Sequence, residues 1–79
     1  MNMQAEAVRV NQLRGISEMQ RVLVQDVQAS PPQVHEGRVI HLYSNGSASI
    51  SFDFVNTVRD RHLLDDHGHV DIHNVRPEL

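Results

Sequence analysis

ISEMQRVLVQDV, residues 16–27, can be read in two ways, and the choice between them sets the fold class. With a period of 3.6, Ile16, Met19, Leu23 and Val27 share one face, and Ser17 to Gln20 has the form of a capping box. Met3, Ala7, Val10 and Arg14 carry the same stripe toward the N-terminus, interrupted at Gly15. With a period of 2, RVLVQDV (21–27) is rich enough in β-branched residues to be a strand. The helical reading is preferred here. It predicts an α+β fold, with a helical segment within residues 1–30 packed on an antiparallel sheet of three to four strands. The strand reading gives the alternative, an all-β small barrel of the SH3-like or Sm-like kind.

Downstream the pattern is plainer. Ser30-Pro31-Pro32 stops whatever precedes it, because proline lacks the amide donor and restricts the residue before it. Residues 31–37 read as a linker and 38–76 as an antiparallel meander, all within one small domain, 1–79. Asn45-Gly46 is the strongest hairpin signal, since both residues tolerate the positive φ of a type I′ turn. On the far side of that turn Ala48, Ile50, Phe52 and Phe54 alternate with Ser47, Ser49, Ser51 and Asp53, the mark of a half-buried strand. Phe52→Ala is expected to cost about 3–5 kcal/mol if the ring is fully buried. A second turn falls at Asp65-Asp66-His67-Gly68. Val58 to Leu64 before it reads as a third strand or a short helical turn, and His69 to Val75 after it alternates again.

Composition limits the function. Leu, Ile, Val and Phe number 23 of 79 residues, enough for a core but a small one. There is no cysteine, which removes disulfides, thiolate metal sites and thiol catalysis, and fits a reducing compartment. A core this small, without disulfides and with strand edges to cover, predicts a homo-oligomer. No apolar run approaches the roughly 18–20 residues of a membrane span, and the N-terminus lacks a secretory pattern, so a cytoplasmic protein without membrane contact is expected. All seven basic residues are arginine, scattered among ten carboxylates at a net charge of −3. Nucleic-acid binders concentrate basic charge to neutralise phosphates.

Six histidines in 79 residues are many, and four of them fall between His62 and His73. On an extended strand His69, Asp71 and His73 line one face, with His67 close by, and imidazole with carboxylate suits zinc or nickel. Against that, Val70 and Ile72 must face the core, so a solvated polar face accounts for the same pattern. Ser44, Ser47, Ser49 and Ser51 form no nucleophile motif and read as polar strand filler. Tyr43, at the end of its strand, is the best candidate for an exposed contact residue, and Arg59 and Arg61 are the other partner-binding candidates. The sequence thus predicts a non-enzymatic protein-binding or regulatory module without a cofactor. The setting that fits is an accessory or inhibitor protein of bacterial, phage or mobile-element origin. A barrel binding RNA or DNA is the first alternative, and a His/Asp site for zinc or nickel the second.

Overall fold

A computed structural model of the chain describes residues 7–53 and 61–78. Eight strands run in chain order: β1 (Arg9–Val10), β2 (Gln12–Leu13), β3 (Ile16–Ser17), β4 (Arg21–Asp26), β5 (Gln33–Tyr43), β6 (Ser47–Phe52), β7 (Val70–Asp71) and β8 (Val75–Pro77). Two single 3₁₀ turns, Arg61–Leu63 and Ile72–Asn74, complete the described residues. The main sheet is antiparallel, ordered β7-β6-β5-β4-β8, with β1 added to the far end of β5, and it curls into a half-barrel. No helix among the described residues is long and apolar enough to cross a membrane.

The expected N-terminal helix is corrected: residues 9–26 are strands and turns, the described residues are nearly all-β, and the barrel alternative fits. The physical reasons are local. Arg14 and Gly15 both take positive φ (51° and 80°), the signature of a two-residue I′ turn, and fold β2 onto β3. A helix cannot pass through two such residues. The capping-box pattern does make its bond, Ser17 N–H donating to Gln20 Oε1 at 2.9 Å, but it closes a turn instead of opening a helix. Met19 at φ 70° ends any helical continuation there. In β4 the alternation wins outright: Val22, Val24 and Asp26 point inward and are buried, and the strand is held on both edges by β5 and β8.

The hairpin at Asn45-Gly46 forms, though with a three-residue connection in which only Gly46 (φ 93°) is left-handed, so the type I′ geometry is corrected. Gly46 N–H closes on Tyr43 O at 3.0 Å, and Asn45 Oδ1 accepts from Ser47 N–H at 3.1 Å. Strand β5 carries a bulge between Val39 and His41. The extra residue lets Val39 and Leu42 both face the core, and it turns His41 and Tyr43 to the outside together.

The core is small and aliphatic: Ile16, Val22, Val24, Val39, Leu42, Ala48, Val70, Ile72 and Val75. Phe52 lies at its border, half-buried, and Phe54 lies outside the described residues. Where β5 passes from pairing with β4 to pairing with β6, Gly37 allows the strands to meet. A Cβ there would stand 2.7 Å from Ser51 O and 2.8 Å from Ile50 Cγ2. Gly37→Ala is expected to cost about 1–3 kcal/mol by overpacking. A thermal melt unchanged from wild type would show that the sheet does not close this tightly at that point.

Candidate functional site

Two imidazoles are fixed in place on this half-barrel, each by a different kind of partner, and both border one cavity. The first depends on the β5 bulge. With Tyr43 turned outward, its ring stacks on His69, which follows the Asp65–Gly68 turn: the centroids are 4.9 Å apart and the planes 18° from parallel. His41 meets Tyr43 edge-on at 6.3 Å, and His67 lies 6.1 Å from His69, so four rings form a half-exposed row across β5 and the loop before β7. Arg9 on β1 stands opposite Tyr43 in the ladder. Its guanidinium reaches Glu18 at 3.4 Å, and the same Glu18 oxygen lies 3.8 Å from His41 Nδ1.

The second imidazole depends on a buried acid. Asp26 ends β4 facing inward and is only 2% exposed. Its Oδ1 accepts from the amides of Gln28 and Ala29 at 3.1 and 3.2 Å. His62, on the 3₁₀ turn Arg61–Leu63, places Nε2 at 3.0 and 2.8 Å from the two carboxylate oxygens. His35 on β5, packed edge-on against Phe52, has its Nε2 4.0 Å from Oδ2. Burial pushes the Asp26 carboxyl up, but the His62 hydrogen bond and the two amides together outweigh it and hold it below the ordinary carboxylate range. Asp26 is thus ionised, a pure acceptor, and His62 Nε2 donates to it.

Between these imidazoles lies a cavity of about 460 Å³, with Leu63, Leu64 and Val70 as apolar wall and Asn45, His62, Asp65, His69, Asp71 and Asn74 as polar lining. Asp65 Oδ1 accepts from the amides of His67 and His69 at 2.8 and 2.9 Å. Those two bonds, the His69 amide most, keep the Asp65 carboxyl below the usual range. Asp71 caps the 3₁₀ turn Ile72–Asn74, accepting from the His73 amide at 2.8 Å and facing His73 Nδ1 at 2.7 Å, and it too is held low, first by that amide. Ser47 Oγ donates to Asn45 Oδ1 at 2.7 Å, so its hydroxyl is engaged by an amide and not by a base.

Of the residues singled out from sequence, Tyr43 and His69 are brought together, and His67 joins them through His69. His73 is parted from them, because the strand expected over 69–75 breaks into a 3₁₀ turn after Asp71. Among the described residues no group of three or more His, Asp or Glu is arranged to hold a metal ion. Arg59 and the side chain of Arg61 lie outside the described residues. The sequence reading missed the Asp26–His62 pair. Its one signal was an acid at the third inward position of a Val22, Val24, Asp26 alternation, where an apolar residue belongs. Comparison with protein-family models, with curated proteins and with solved structures finds no match to this chain.

Proposed function

We propose that this chain is a small non-enzymatic binding module that takes a protein partner on the face formed by the Tyr43–His69 stack and the cavity beside it. The observation that carries this reading is the stack itself. A tyrosine held rigid by a parallel imidazole offers a large, pre-ordered, amphipathic contact area with little entropy left to lose, the property of interface anchors. Its surroundings favour protein over nucleic acid. Glu18, Asp65 and Asp71 flank the face, while Arg21 is tied to Asp53 and Glu78 and Arg38 donates to Met19 O at 2.7 Å. Phosphate backbones require unpaired cationic charge where these carboxylates stand.

The test is capture from a lysate of the source cells on immobilised wild type and on Tyr43→Ala, followed by affinity measurement with the purified partner. Tyr43 faces outward, so the variant is expected to keep its fold and to lose about tenfold or more in affinity. A partner held equally by both proteins overturns the proposed face. Capture dominated by nucleic acid that is lost steeply with salt overturns the protein reading.

A further inference from the structure

The cavity has a chemical polarity that the proposed partner must match. His62 commits Nε2–H to the buried Asp26 carboxylate, which holds the ring at the cavity wall. Among the described residues the hydrogen bonds to Asp65 and to Asp71 all fall on Oδ1, and Oδ2 of each can accept another donor. No arginine lines the cavity among the described residues, and the chain has no lysine. The lining thus sets two carboxylates, Asp65 and Asp71, beside the side-chain amides of Asn45 and Asn74, and its only full charges among non-histidine side chains are negative. Its volume of about 460 Å³ lies within the roughly 300–1,000 Å³ of ordinary ligand sites, with leucine on the wall to meet an aliphatic stem.

We propose that this cavity takes a cationic side chain of the protein partner, a guanidinium or an ammonium, with Asp65 and Asp71 as accepting groups and Asp26 as the residue that holds His62 at the cavity wall. The inference rests on the binding-module reading and narrows it: the partner places an arginine or lysine beside the Tyr43–His69 anchor. Asp26 acts here without touching the ligand. It holds the His62 ring in place through Nε2, as a carboxylate behind a histidine does. The apolar wall and the acceptors are thereby suited to the two ends of one long basic side chain.

The experiment uses the full chain at pH 7.5 and two small probes, ethylguanidinium chloride and ethylammonium chloride, followed by NMR of the histidine rings and the asparagine side-chain amides. At least one probe is expected to give saturating shifts confined to His62, His69, Asn45 and Asn74. Sodium chloride at matched ionic strength, and sodium acetate, are expected to give none. Asp65→Asn and Asp71→Asn keep the Oδ1 acceptor and the turn geometry, and each should weaken the saturating probe about three- to tenfold. Shifts that sodium chloride reproduces, a stronger response to acetate, or an affinity unchanged in both variants overturns the proposal. Partner capture that fails with Tyr43→Ala while neither probe binds would sink this inference and leave the binding-module reading standing.

Discussion

Asp26→Ala is expected to destabilise the fold by about 3–5 kcal/mol, the loss seen when one partner is removed from a buried ionic contact. Alanine takes away the acceptor for the Gln28 and Ala29 amides and for His62, and leaves those donors unanswered at the inner end of β4. Asp26→Asn keeps the size and one acceptor oxygen, so it is expected to cost less, about 1–3 kcal/mol. The pH dependence separates charge from shape. The Asp26 carboxyl is held below its ordinary value, so its contribution is fully present above the unfolded value of about 3.9 and is lost as pH falls through the lower folded value. Urea unfolding of wild type and Asp26→Asn is therefore expected to show a gap that closes below about pH 4. An Asp26→Ala protein with the wild-type midpoint, or a gap that does not close in acid, would contradict the assignment of a buried ionised carboxylate.

Leu42→Ala is expected to cost about 2–5 kcal/mol. The leucine is fully buried, with Val10 across from it on β1 and Ala48 across from it on β6, so nothing small and mobile stands ready to fill the space it leaves. Phe52→Ala is expected to cost less, although phenylalanine is the larger side chain. The ring sits half-buried at the border of the core, its face toward solvent already wet. Urea midpoints of the two variants measured side by side give the order. If Phe52→Ala proves the costlier change, the bulge that turns Leu42 inward is misplaced, and with it the outward position of Tyr43.

The same bulge marks where the candidate site passes beyond the reach of sequence. Alternation alone puts Val39, His41 and Tyr43 on one face of β5; one extra residue between Val39 and His41 moves Tyr43 away from Val39 and toward His69. Nothing in the local residue types announces that bulge. The Tyr43–His69 contact joins positions 26 apart in the chain, and Asp26–His62 joins positions 36 apart. Such pairs are set by how strands lie across one another, which no window of neighbouring residues contains.

What the sequence determined by itself was local and period-based: the Asn45-Gly46 hairpin, the polar and apolar faces of β6, the Asp65–Gly68 turn, and the absence of thiol chemistry. Each follows from side-chain alternation or from backbone freedom at one or two residues. The fate of residues 9–26 was decided by tertiary structure. Ile16, Met19, Leu23 and Val27 satisfy a helical period as well as Val22 and Val24 satisfy a strand period, so propensity alone stands nearly balanced there. The balance is broken by the ladders that β5 and β8 offer to both edges of β4. They supply backbone partners and a buried face that a lone helix of this composition could not match. Asp26 belongs to that same decision: only in the strand does it point inward, and only there does it meet His62.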